Sequence, residues 1–155
     1  MDGRFLDLPT LLQQSLRLLL AMPPVTTSTL PPKMPPSGVY LFSEETNHLY
    51  VGRSNRLRAR IRRHGAENSK HNVAAFAFKM ARQTTGKTFA TYKPEGSRKN
   101  LLEDPVFAKA FMEAKATIRS MRVRFVEEDN QLRQALLEIY VAVVLQTPYN
   151  DFDTH

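Results

Sequence analysis

The chain has 155 residues, 42% of them hydrophobic and 24% charged, a balance that fits a folded domain rather than a disordered chain. It holds no cysteine, which excludes disulfides, iron–sulfur clusters, Cys-based zinc sites and a thiol nucleophile, and which suits a reducing compartment. Lys and Arg number 22 against 15 Asp and Glu, so the net charge is +7 and an anionic partner is expected.

The N-terminal residues MDGRFLDLPT mix Asp2, Arg4 and Asp7, unlike the cationic start of a signal peptide. The apolar stretch at 16–22 is interrupted by Arg17 and is far shorter than the roughly 20 residues that a membrane span needs. A cytoplasmic protein without a membrane partner is expected. Residues 8–22 place Leu at 11, 12, 16, 18, 19 and 20, with Pro9 near the first turn, and predict a helix. Six of the ten prolines then fall between Pro23 and Pro36, which predicts an extended linker or surface strap. The chain therefore divides into residues 1–36, a helix and Pro-rich linker, and residues 37–155, the main domain.

Beyond Gly38, the runs VYLF (39–42) and HLYVG (48–52) are β-branched and aromatic, and the polar SEETN between them closes a hairpin. Ser54 or Asn55 can cap an Arg-rich helix that Gly65 stops. Residues 68–82 read as a second helix, with Val73, Phe76, Ala77 and Met80 inward, and 88–92 as a short strand. Asp104 and Pro105 open a helix over 104–121 whose apolar side carries Val106, Phe107, Ala110, Phe111 and Ala114. A half-buried strand follows over 121–128. Asp129 or Asn130 starts a last, strongly apolar helix that ends before TPYNDF. The order β-β-α-α-α-β-α predicts an α/β (α+β) domain built on a small three-stranded antiparallel sheet flanked by helices.

The charge is unevenly placed. Residues 1–52 hold three bases and four acids, net −1; residues 53–125 hold eighteen and five, net +13; residues 126–155 hold one and six, net −5. Six Arg fall between Arg53 and Arg63 with no acid among them, a concentration that calls for a polyanion to neutralise it. Glu138 is an acid inside LLEIYVAVV, and a carboxylate among apolar neighbours is costly unless it is paired or coordinates a metal. Arg60 and His64 stand at i and i+4, on one helix face.

The strand pair spells Gly38-Val39-Tyr40 and Tyr50-Val51-Gly52, followed by Arg53-Ser54, by Arg60 eight residues after Gly52, and by His64 four residues later. This pattern resembles the GIY-YIG nuclease family, named for two such tripeptides on adjacent strands, and the resemblance covers about residues 37–151. The family's later Glu on a helix and Asn in the following loop are matched by Glu138 and Asn150. The stretch between His64 and the last strand is longer than in a minimal domain of the family.

The resemblance implies a divalent-metal-dependent endonuclease that hydrolyses DNA phosphodiester bonds. Tyr40 would be the general base, Tyr50 would orient water or phosphate, and Arg60 would clamp the scissile phosphate through its planar fork. His64 would hydrogen-bond a tyrosine hydroxyl and relay its proton, and Asn150 would brace the site. Glu138 would hold one Mg²⁺ or Mn²⁺ per active site, a single carboxylate with waters being a common Mg²⁺ arrangement. Arg53, Ser54, Arg56, Arg58, Arg62, Arg63 and His71 are expected to face double-stranded or branched DNA. Gly38 and Gly52 have two explanations, close approach to substrate or a bend at a strand end. A non-catalytic nucleic-acid-binding module or adaptor that keeps the fold is the rival reading. The leucine-rich N-terminal helix is expected to offer a homodimer or protein-partner contact, or a lid.

Overall fold

The computed structural model describes residues 2–87 and 98–152. Its elements, in chain order, are α1 (Gly3–Leu6), α2 (Leu8–Ala21), β1 (Gly38–Glu44), β2 (Asn47–Ser54), α3 (Leu57–Gly65), α4 (Ala75–Thr85), α5 (Arg98–Glu103), α6 (Pro105–Ser120), β3 (Arg122–Glu127) and α7 (Gln131–Leu145). The expected strand over 88–92 lies outside the described residues.

Three antiparallel strands in the order β2-β1-β3 form the sheet, as the alternation of strands and helices predicts. In the register Tyr40 lies opposite Gly52 on one side and Phe125 on the other. Because side chains alternate along a strand, β1 sends Tyr40 and Phe42 to one face and Val39 and Leu41 to the other, and all four are buried. On the first face they join Ile61 of α3, Phe76 of α4 and Phe107, Phe111 and Ile118 of α6. On the second they join Leu16 and Leu19 of α2 and Leu137 and Val141 of α7.

Several boundaries follow from side-chain capping. Asp104 accepts a hydrogen bond from the Val106 N–H at 3.0 Å and Asn130 from that of Arg133 at 3.0 Å, each satisfying a donor that a helix start leaves open. Gly86, at φ 76°, ends α4 in the left-handed region. The inward stripe of α6 is Phe107, Ala110, Phe111, Ala114 and Ile118; Val106 is exposed, because it leads that stripe by one position.

One expectation is corrected here, and one choice between two alternatives is decided. The second helix begins at Ala75 rather than at 68, and residues 66–74 form turns. Their carbonyls serve cations in place of a helical ladder: Lys115 donates to the Glu67 and Ser69 carbonyls at 2.6 and 3.0 Å, and Arg60 donates to that of Val73 at 2.7 Å. The Pro-rich stretch is a strap bonded into the fold. Val25 exchanges backbone bonds with Val123 at 2.9 and 2.7 Å, extending the free edge of β3, and Leu30 is buried in the core. Its end meets α3, where the Leu57 N–H donates to Pro36 at 2.9 Å and the Arg58 guanidinium to the carbonyls of Pro31 and Pro32.

Candidate active site

Tyr40 and Tyr50 project from neighbouring strands onto the aromatic face, where α3 brings His64 between them. The Tyr40 hydroxyl lies 2.6 Å from His64 Nε2, a hydrogen bond inside the core. The imidazole is ringed by Tyr40, Phe42, Tyr50 and Phe76, with centroids 5.4 to 6.4 Å away. Gly52 makes this arrangement possible, since a Cβ there would overlap the Tyr40 hydroxyl and ring directly across the strand pair. Its lack of a side chain thus serves a tyrosine, and that of Gly38 serves the Val126 carbonyl of β3, which a Cβ would strike.

Burial sets the protonation of this cluster. It pushes the Tyr40 hydroxyl well above the ordinary tyrosine range, with Tyr50 adding to the effect, while Arg60 pulls the other way through charge and a hydrogen bond. Burial also raises Tyr50, and Arg60 again opposes it. His64 is lowered to about 3, first by burial and then by the Arg60 charge, so the ring is neutral at physiological pH. Arg60 itself is braced: its guanidinium is held by the Val73 carbonyl at 2.7 Å, one helical turn before His64 on the same face of α3.

Glu138 reaches the cluster from the other side of the sheet. β2 is an edge strand, and α7, which covers the aliphatic face, brings Glu138 beside Arg53, Oε2 to Nε 3.9 Å. Its side chain is 22% exposed. Desolvation raises its carboxyl pKa, and the charges of Arg53 and Lys79 draw it back. The loop after α7 then runs along the free edge of β2. Asn150 accepts from the Val51 N–H at 2.9 Å and donates to the Val51 carbonyl at 2.7 Å, so one side-chain amide imitates a fourth strand. Thr147 donates to the same Asn150 Oδ1 at 2.7 Å, and the Tyr149 N–H donates to Leu49 at 3.2 Å.

Six side chains named from the sequence, Tyr40, Tyr50, Arg60, His64, Glu138 and Asn150, therefore converge on the aromatic face and the free edge of β2. The remaining basic residues divide. Arg53 accompanies Glu138; Arg56, Arg62 and Arg63 are exposed; a groove of about 460 Å³ between the strap and α3 is lined in part by Pro32, Met34, Arg56 and Arg62. Ser54 accepts from the Arg56 N–H at 2.9 Å in the turn before α3, but the helix is capped at Arg56 without a side-chain hydrogen bond, so the capping expected of Ser54 or Asn55 is corrected. Arg58 is turned to the strap carbonyls instead of outward, and the half-buried His71 ring lies 6.1 Å from that of Phe78. For both, contacts within the fold replace the outward orientation that the sequence suggests.

Neighbours that the sequence does not mark complete the cluster. Phe76 stacks on Tyr50 with centroids 4.7 Å apart and planes 9° from parallel, and Lys79 and Thr147 stand beside it. Local pattern carries no signal for these contacts, which join α4 and the C-terminal loop to β2. Among the described residues no group of three His, Cys, Asp or Glu side chains comes together, and a metal ion bound here would have the Glu138 carboxylate and solvent as donors. Such a set fits Mg²⁺, which commonly keeps its waters and takes one or two carboxylates together with substrate phosphate. No helix among the described residues is long and apolar enough to cross a membrane.

Residues 36–101 match the family model of the GIY-YIG catalytic domain, whereas no curated protein and no solved structure matches the chain. The matched span takes in β1, β2, α3 and α4 and ends within α5, so it includes both tripeptides, Arg60 and His64 but not Glu138 or Asn150. Over that span, and in its three-stranded antiparallel sheet flanked by helices, the chain is similar to the GIY-YIG nuclease superfamily, whose members act on DNA.

Proposed function

We propose that the protein is a divalent-metal-dependent endonuclease that hydrolyses DNA phosphodiester bonds. The observation that carries this reading is the 2.6 Å contact between the Tyr40 hydroxyl and a neutral His64, roofed by Gly52 and flanked by Arg60. Hydrolysis needs water stripped of a proton and cationic support for the charge that grows on the phosphate.

Tyr40 is the base that takes the water proton, having passed its own to His64 Nε2 across the existing hydrogen bond. In the resting state this transfer is uphill, because burial opposes both a phenolate and an imidazolium and the Arg60 charge opposes the latter. Arg60 acts on both partners, favouring the Tyr40 phenolate and opposing the His64 imidazolium. Arg60 holds the phosphate through its fork, and the Val73 carbonyl fixes the direction of that fork. Tyr50, pinned by Phe76, orients water or phosphate, and Asn150 keeps β2 and the end of α7 in register. Glu138 would hold a Mg²⁺ or Mn²⁺ ion, which when bound supplies positive charge to the phosphate and leaving oxygen. Arg53, Arg56, Arg62 and Arg63 supply sequence-independent attraction to the DNA backbone.

The test is cleavage of supercoiled plasmid and of synthetic single-stranded, duplex, flap and junction DNA with Mg²⁺, with Mn²⁺ and with EDTA. Cleavage that EDTA stops is expected, together with a loss of about 100-fold or more in Arg60→Ala and Glu138→Ala, the scale on which single transition-state contacts act. Both variants should melt near the parent temperature. Full activity in either variant, or binding without nicking under both metals, would overturn the reading in favour of a binding module.

A further inference from the structure

Helix α4 belongs to the long stretch between His64 and β3, yet it adds a charge to the site. Phe76 stacks on one tyrosine, Tyr50, and three residues later on the same helix face Lys79 brings Nζ over that ring at 5.9 Å. The ammonium also donates to the Tyr149 carbonyl at 3.1 Å, in the loop whose next residue, Asn150, grips β2. It is half-exposed, at the free edge of β2, and its charge is felt by Glu138. Lys79 therefore stands where α4, β2, α7 and the C-terminal loop meet. A lysine ammonium is a point charge on a flexible stem, suited to meeting a backbone phosphate whose position varies among substrates.

We propose that Lys79 binds a backbone phosphate adjoining the scissile one, so that α4 sets the position of the DNA strand across the site. This rests on the endonuclease reading, and the experiment separates the two. Binding of a fluorescent flap duplex is measured in EDTA over a series of salt concentrations for the parent, Lys79→Gln and Lys79→Arg, and cleavage kinetics are measured in Mg²⁺. One lost phosphate contact lowers the slope of log affinity against log salt by about 0.9. That drop is expected in Lys79→Gln, along with a raised KM and a nearly unchanged kcat, while Lys79→Arg keeps the parent slope.

An unchanged slope in Lys79→Gln, a reduced slope in Lys79→Arg, or a loss of kcat at constant KM would overturn the contact and leave Lys79 a bracket for the Tyr149 loop. Melting curves separate that bracket from unfolding. A parent protein that neither binds nor cuts any substrate fails the endonuclease reading and the phosphate contact together. A parent that cuts, beside a Lys79→Gln variant with the parent slope, fails the contact but not the endonuclease reading.

Discussion

The two faces of the sheet come from the same three strands, yet they differ in chemistry. The face under α2 and α7 is aliphatic, with Leu16, Leu19, Val39, Leu41, Val51, Leu137 and Val141, and its packing is held by dispersion and the hydrophobic effect. The face under α3, α4 and α6 is aromatic and contains two hydroxyls and an imidazole in a space that excludes water. A dry, polar cluster strengthens each electrostatic contact inside it and makes every unsatisfied atom expensive. Aliphatic packing and the polar cluster thereby lie on opposite sides of one sheet. Glu138 and Asn150 join them around the edge of β2.

That division can be broken from either side. The largest effect on stability is expected on the aliphatic face, where Leu137 is 1% exposed. Leu137→Ala should cost about 2–5 kcal/mol of unfolding free energy while cleavage per folded molecule stays close to the parent value. A urea titration with an activity assay checks this, and a large loss of kcat in the folded fraction would show that the faces are coupled.

On the aromatic face the expected stability cost is smaller and the functional cost greater. Tyr40→Phe removes the hydroxyl facing His64 Nε2 and should cost about 1–3 kcal/mol, the penalty of a buried polar atom left without its partner. It should also abolish cleavage, measured on the same preparation. A Tyr40→Phe enzyme that still cuts would remove Tyr40 from the role of base.

The smallest effect, taken over a single pH unit, sharpens the comparison through pH. His64 is held at about 3 when folded, by burial first and by Arg60 second, against an ordinary value near 6.5 when unfolded. Between those values the unfolded chain binds a proton that the folded chain refuses. Stability contributed by the neutral ring is thus complete above pH 6.5 and falls as pH drops toward 3, by at most about 1.4 kcal/mol per pH unit. Urea unfolding at neutral and mildly acidic pH should show a shallower loss in His64→Gln than in the parent; equal slopes would mean that this ring does not titrate on unfolding.

Much of the architecture is legible without coordinates, because it rests on short-range rules. Hairpin residues alternate, Asp104 and Asn130 cap, and the stripe on α6 recurs at helical spacing. The start of α4 is not legible in this way, since Lys115 and Arg60 draw the carbonyls of residues 66–74 away from a helix, and both donors lie outside the segment. The fate of the Pro-rich stretch is likewise decided by Val123 and Arg58, distant in the chain.

Gly52 shows the boundary most clearly. A glycine in the tripeptide is visible in the residues themselves, but that it clears space for Tyr40 depends on the register of two strands. The amino-acid order by itself determined the class of fold, the basic field from Arg53 onward and which side chains are candidates for the site, because these follow from residue identity, spacing and the resemblance they carry. Tertiary structure decided which of them meet: Arg58 turns to the strap, Phe76 and Lys79 enter beside Tyr50, and Glu138 arrives around the strand edge. Such contacts join residues far apart in sequence, and their geometry is set by packing that no local pattern records.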